Sequence, residues 1–353
     1  MYSNDDRPTI RGRGARANID HRFSQRTVAA DPGTQDEQPL PKTTVTPIRA
    51  RSIITRNQSP DVGFNLSVNP YQGCEHGCVY CFARPSHAYH DLSPGLDFET
   101  RILAKTNAVR LLCKELSSPR YVCEPIAIGI NTDAYQPAER KLEITRGLLE
   151  TCLEYRQPLV LITKSALILR DTDLLAELAG RGLARVCVSV TTLDDELKRR
   201  LEPRTASPRA RLRVISRLSD KAVPVGVMAA PVIPRINDSE MEAILQAAAE
   251  HGARSASYIL LRLPHEVEPL FRDWLGSHYA DRAAAVMHTM QACHGGKAYR
   301  SRFHARMRGE GLFADMLAQR FKTARRRHGL DEELPTLCTD QFRRPAGPQL
   351  SLF

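Results

Sequence analysis

The stretch PIAIGINTDAYQPAERKLEITRGLLETCLEYRQPLVLITKS, residues 125–165, decides the fold class. It opens on a short apolar run, "PIAIGINTD", and closes on another, "PLVLITKS", each of strand length. Between them "AERKLEITRGLLETCLEY" repeats its apolar residues at helical spacing. Strand, helix, strand in that order predicts parallel pairing through a right-handed crossover. The alternation continues, with "ARVCVSVTT", "VPVGVMAAPVIP" and "SASYILLRLP" reading as strands and "DTDLLAELAGRG", "SPRARLRVISRLSDK" and "SEMEAILQAAAEHG" as helices. With "NLSVN" upstream the count is six βα units, too few for an eight-fold barrel. The expected fold is α/β, a partial (three-quarter) parallel β/α barrel over residues 61–265, its functional mouth at the C-terminal ends of the strands. Residues 1–60 lack an apolar period and are expected to form a largely disordered arm without catalytic groups. Residues 266–342 read as a basic helical extension, and 343–353 as a flexible tail broken by Pro and Gly.

Composition narrows the class. The 353 residues are 42 % hydrophobic, with no apolar run long enough to cross a bilayer. The first twenty residues hold no signal-peptide core, so a cytoplasmic location is expected. Nine cysteines, an odd number, argue in a reducing compartment for metal or redox chemistry over a disulfide framework. A net charge of +10 favours a polyanionic partner. The arginines gather in "RGRGAR", "KTARRRHG" and "FRRP", where a solvated face would serve equally well.

"GCEHGCVYCFAR", residues 73–84, places Cys74, Cys78 and Cys81 within eight residues. Structural zinc takes four Cys or His ligands. His76 lies between two of the cysteines, badly placed to close a tetrahedron around the same ion, and Cys113 and Cys123 are distant in sequence. Three thiolates suit a [4Fe–4S] cluster with one iron left open.

The spacing Cys-x3-Cys-x2-Cys, with the aromatic Tyr80 before the last cysteine, resembles the signature of the radical S-adenosylmethionine superfamily. That resemblance implies a [4Fe–4S] cluster on Cys74, Cys78 and Cys81, with S-adenosylmethionine chelating the free iron. Reductive cleavage of the cofactor then yields a 5′-deoxyadenosyl radical. "NPYQGCEHGCVYCFAR", "DFETRILAKTNA" and "NTDAYQPAER" further resemble the spore photoproduct lyase-like branch, over Asn65 to Pro264.

Strand alternation assigns the lumen. Ile126, Ile128 and Ile130 are expected under the helices, with Ala127, Gly129 and Asn131 facing inward and Thr132 and Asp133 at the mouth. By the resemblance Asn131, Thr132 and Asp133 bind the cofactor, although they depart from the superfamily's Gly-rich acidic motif and would equally cap a helix. Tyr80 and Phe82 beside the cysteines, Lys164 after the third strand, Ser189 and Thr191 on the fourth and Ile233 after the fifth complete the cofactor-binding candidates. Tyr258, Leu260 and Arg262 share one parity of the sixth strand, and Arg262 needs an anionic partner there. Cys123, on the stretch leading into the second strand, is the candidate hydrogen donor by likeness to the lyase, with an inert core cysteine as the alternative.

The expected function is a radical enzyme acting on DNA, on a damaged base or lesion extruded toward the mouth, with "KTARRRHG" on the phosphates. Radical chemistry on tRNA, a peptide or a small metabolite, and a non-catalytic iron–sulfur or zinc scaffold, remain open. Expected partners are DNA, a reductase or flavodoxin-type electron donor, and the bacterial replication sliding clamp. The last is expected through Gln349, Leu350, Ser351, Leu352 and Phe353, which resemble a clamp-binding peptide.

Overall fold

The computed structural model describes residues 9–24 and 41–345. Ten strands form two sheets: β1 (Thr44–Ile48), β2 (Ile54–Arg56), β3 (Leu66–Val68), β4 (Tyr71–Gln72), β5 (Arg101–Lys105), β6 (Ile126–Ile128), β7 (Leu159–Thr163), β8 (Ala184–Ser189), β9 (Val225–Val232) and β10 (Ser255–Leu260). The large sheet has the order β10-β9-β8-β7-β6-β3-β2. Its six strands from β3 to β10 are parallel, and β2 closes one edge antiparallel to β3. The six parallel strands are those read from the sequence. The small sheet, β1-β5-β4, delivers the chain into the cysteine loop.

The first helices are α1 (Leu96–Thr100) and α2 (Ala108–Leu116). Crossovers follow as α3 (Glu139–Leu142) with α4 (Ile144–Tyr155), α5 (Thr172–Gly180), α6 (Asp195–Leu201) with α7 (Pro208–Ser219), and α8 (Met241–Glu250). Beyond the sheet lie α9 (Val267–His278), α10 (Ala280–Cys293) and α11 (Leu312–Arg327). No helix among the described residues is long and apolar enough to cross a membrane.

Two cores divide the labour. Under the helices Ile126, Ile128, Val186, Val188 and Val190 pack on Leu148, Leu175 and Leu218. On the mouth side Val79 and Tyr80 of the cysteine loop pack with Leu201, Leu261, Phe271 and Trp274, so α9 buries its apolar face against the loop itself. Phe271 and Trp274 stack at 5.6 Å, and the Trp274 indole donates to the Arg200 carbonyl at 3.0 Å. Large aromatics fix that wall because each buries much apolar area and has few rotamers.

Three expectations are corrected. Ile130 is only half-buried, because Gly129 at φ +83° ends the strand alternation one residue before it. A side chain at Gly129 would also meet the Ile162 carbonyl, 2.6 Å from its Cβ. Tyr258 and Leu260 face the helical core, where Tyr258 packs on Phe321 at 4.6 Å, and do not share the lumen with Arg262. A register shift between Tyr258 and Leu260 breaks the parity that the sequence assumed. Finally, the supposed arm is ordered over 9–24 and from 41 onward, because its backbone finds buried acceptors on the body.

Candidate active site

The cysteine loop is held from outside at nearly every turn. Cys74 N–H donates to the Phe98 carbonyl (2.8 Å), Val79 N–H to the Leu201 carbonyl (3.1 Å), and Glu75 N–H to the Gln136 side chain (3.0 Å), whose amide returns to Gly73 (3.1 Å). Arg84 is fully buried and donates to the carbonyls of Cys78 (2.9 Å), Pro94 (3.0 Å) and Gly95 (2.9 Å), and to the carboxylate of Glu99. Glu99, equally buried, also accepts the Gly14 and Ala15 amides at 2.9 Å each. A buried charge pair of this kind costs about 3–5 kcal/mol when one partner is lost. Shape is thereby imposed on the loop before any ligand arrives.

Cys74 and Cys78 are buried and Cys81 is partly buried. Burial first, then Asp133 and the other two thiols, pushes the Cys74 thiol well above its ordinary value. Cys78 is pushed up to about 12 by burial and then Glu202. The three sulfurs therefore sense one another. Yet among the described residues no three His, Cys, Asp or Glu side chains converge to hold a single metal ion. The all-sulfur donor set of the three neighbouring cysteines fits iron–sulfur chemistry.

His76 turns one ring nitrogen toward Asp133. It is 3 % exposed, and its Nδ1 lies 3.4 Å from the Asp133 carboxylate. Asp133 also accepts from the Thr163 hydroxyl (2.8 Å), the Lys164 amide (2.8 Å) and the Tyr135 amide (2.9 Å). Burial pushes its carboxyl up, but His76 and these hydrogen bonds outweigh that and hold it at about 2.

The other predicted residues separate into groups. Asn131 N–H donates to the Asn69 side chain (2.9 Å), and the Thr132 hydroxyl to the Tyr71 carbonyl (2.9 Å). Both thus fasten the end of β6 to the chain entering the cysteine loop. Tyr80 directs its hydroxyl at Glu202, and the Thr191 hydroxyl lies 2.6 Å from the same carboxylate. The Lys164 ammonium stands 5.9 Å from the Tyr80 ring centre. Ser189 donates to the Ala230 carbonyl (3.4 Å), and Ile233 is fully buried in the mouth-side core. Phe82 remains 41 % exposed, beneath the Arg262 guanidinium at 4.5 Å.

Cys123 is not brought to the mouth. It precedes β6, at the N-terminal end of the strands, where its thiol meets the Gln157 side chain at 3.6 Å. Asp133 and the cysteine loop lie at the opposite end of that strand. Parity counted along the chain could not say at which end of the strand Cys123 would stand.

Sequence reasoning missed Glu202 and Arg211. Both are buried within 1 %, and they pair with each other behind Tyr80 and Thr191. Burial raises the Glu202 carboxyl, but Arg211 and Lys164 overcome this and hold it at about 2. Nothing in "LEPRTASPRAR" marked these two apart from the surrounding charges. Glu139, by contrast, lies inside the quoted "NTDAYQPAER", and it accepts from Tyr71 of "NPYQ" and from Thr145 at 3.0 Å.

Residues 68–248 match the family model of the Radical SAM superfamily, and the chain belongs to that superfamily. Its members are enzymes whose cofactors are a [4Fe–4S] cluster and S-adenosylmethionine. An uncharacterised protein of Mycobacterium tuberculosis is 38 % identical over 214 residues, 60 % of this chain and 63 % of its own length. The chain thus spans less than two thirds of that relative. An uncharacterised protein of Methanocaldococcus jannaschii is 26 % identical over 193 residues, 55 % of this chain and 69 % of its own. In fold the chain is similar to the Y98F mutant of spore photoproduct lyase, with a TM-score of 0.60 at 14 % identity over 83 % of this chain and 82 % of that one. The lyase complexed with dinucleoside spore photoproduct gives 0.56 at 15 % identity, over 80 % and 78 %.

Proposed function

We propose that the protein is a radical S-adenosylmethionine enzyme that acts on a damaged base or lesion in DNA. The observation that carries the chemistry is the three-thiol loop at the barrel mouth, buried against α9, with His76 facing Asp133. Cys74, Cys78 and Cys81 would hold the cluster, which with S-adenosylmethionine supplies a radical able to abstract hydrogen. Burial under α9 keeps the loop's inner side dry, and Glu202 with Arg211 fixes Tyr80 beside it. A DNA substrate is favoured by the fold shared with a lyase that binds a dinucleoside lesion and by the net charge of +10. The electron would come from a reductase or flavodoxin-type donor. The sliding clamp is a further proposed partner, through Gln349 to Phe353, which lie outside the described residues.

Anaerobically reconstituted wild type should be brown and should cleave S-adenosylmethionine on reduction. Replacing any one of Cys74, Cys78 and Cys81 by Ala should abolish both properties, whereas His76→Gln should keep its iron. Equal iron loss in the His76 variant would make His76 a ligand and sink the three-thiol reading. Mass spectrometry of DNA from a deletion strain against wild type tests the substrate: an accumulated lesion supports DNA repair, and identical profiles count against it.

A further inference from the structure

Arg262 follows β10 at the mouth and lies over Phe82, the residue after Cys81. Among the described residues no carboxylate and no hydrogen-bond acceptor meets its guanidinium. Burial pulls its pKa down, the Tyr299 hydroxyl pulls it up, and the like charge of Arg306 pulls it down again. The nearby acid is already engaged, since Asp61 accepts from Arg306 Nε and from the His304 amide at 2.6 Å. A stacked, half-buried cation with its acid neighbour occupied is open to an anion that the described residues do not supply. Stacking covers one face of the guanidinium and leaves its edge, the fork of N–H donors that matches a phosphate.

The surroundings extend the same surface. The loop between α10 and α11 reaches the end of β10, where Leu260 N–H donates to the Met307 carbonyl at 2.9 Å. It carries Lys297 and Arg308, both exposed, and Phe303, 49 % exposed. Asp61 and Arg308 also line a cleft of about 370 Å³ with Pro60, His304 and Met307. On its other side Arg308 lines a second cleft with Lys322, Arg325 and Arg326 of the basic run "KTARRRHG". Beyond α11 the Leu330 carbonyl accepts from Ala256 N–H at the start of β10, so the run leads away from the mouth toward the far end of the strands.

We infer that Arg262 is the phosphate anchor of the substrate site, where its guanidinium on Phe82 receives a phosphodiester of the DNA strand that carries the target base. The inference rests on the DNA reading above and assigns to one residue the contact that sets the strand beside Cys81. Lys297 and Arg308 continue the phosphate path, and the exposed aromatic faces suit unstacked bases.

The test is fluorescence anisotropy of a labelled single-stranded oligonucleotide, across a salt series, with cluster-loaded wild type, Arg262→Gln, Arg262→Lys and, as a control, Arg181→Gln, an exposed arginine just ahead of β8 at the far end of the sheet. S-adenosylmethionine affinity and iron content are measured on the same preparations. Arg262→Gln should weaken oligonucleotide binding about tenfold and lower the salt slope by about 0.7, the share of one single-strand phosphate contact. Arg262→Lys should keep most of the slope, Arg181→Gln should match wild type, and iron and cofactor affinity should stay unchanged. Wild-type binding that Arg262→Gln leaves intact overturns the anchor and spares the DNA reading. Loss of cofactor affinity with oligonucleotide binding retained would assign Arg262 to the cofactor's carboxylate and also overturn it. A wild type that binds no oligonucleotide removes the DNA reading and the anchor together.

Discussion

Asp133 joins the end of β6, the end of β7 and the cysteine loop through Thr163, Lys164 and His76, so removing its charge loosens three segments at once. Its folded value of about 2 lies below the ordinary 3.8, which makes its ionised form a stabilising one. That stability, on the order of 2 kcal/mol, is fully present above about pH 5 and is lost as the pH falls toward 2. Asp133→Asn should therefore unfold at lower urea than wild type at neutral pH, and the gap should close as the pH is lowered to about 2. A gap that does not change with pH would mean that the carboxylate contributes only by shape. Glu202 behaves alike in direction, but its role is aimed at Tyr80 and Thr191.

The N-terminal segment over residues 9–24 acts as a strap across the back of the cysteine loop. Arg16 reaches Asp273 on α9, and the Arg22 amide donates to Glu266 just before that helix at 3.0 Å. Gly14 lies so close to the loop that an added Cβ would stand 1.9 Å from the Gly77 carbonyl oxygen. Only glycine permits that approach, and it brings two amides onto the Glu99 carboxylate. Gly14→Ala should release the strap and leave Glu99 short of two charge-assisted bonds, a loss of about 2–4 kcal/mol. Limited proteolysis should then cut ahead of residue 24, and reconstituted iron should leach faster than from wild type. Cleavage and iron retention indistinguishable from wild type would show that the strap is dispensable to the loop.

The whole molecule has two distinct ends, set by the direction of its parallel strands. α9, α10 and the basic loop before α11 gather at the mouth, while the chain after α11 crosses beneath the sheet. Cys338 N–H donates to Gly182 just ahead of β8, Arg343 N–H to Tyr155 ahead of β7, and the Arg344 side chain to Ser118 and Tyr121 ahead of β6. The described chain therefore ends, at Pro345, on the side away from the cysteines. A partner held by the last residues would attach without covering the mouth. Purified sliding clamp should bind a peptide spanning Pro345 to Phe353, and changing Leu352 and Phe353 to Ala should abolish binding, since each buried side chain adds roughly 1.5–3 kcal/mol. Equal affinity of the two peptides, or none for either, would remove the clamp from the account.

The sequence by itself determined the six parallel strands, the three-cysteine loop and its superfamily, because strand periodicity and metal-ligand spacing are local properties written within a few residues. It also set Asp133 and Thr191 just beyond the ends of their strands, since strand ends can be counted along the chain. What counting cannot supply is which end of a strand a flanking residue occupies, or what meets a side chain from a distant segment. Cys123 shows the first, standing at the far end of β6. His76 with Asp133, Glu202 with Tyr80, and Gly14 with Glu99 show the second, each joining residues more than fifty positions apart. Only the tertiary structure decided these, because a buried charge selects its partner by proximity in the folded chain, where the low dielectric makes an unpaired carboxylate or guanidinium too costly to leave alone.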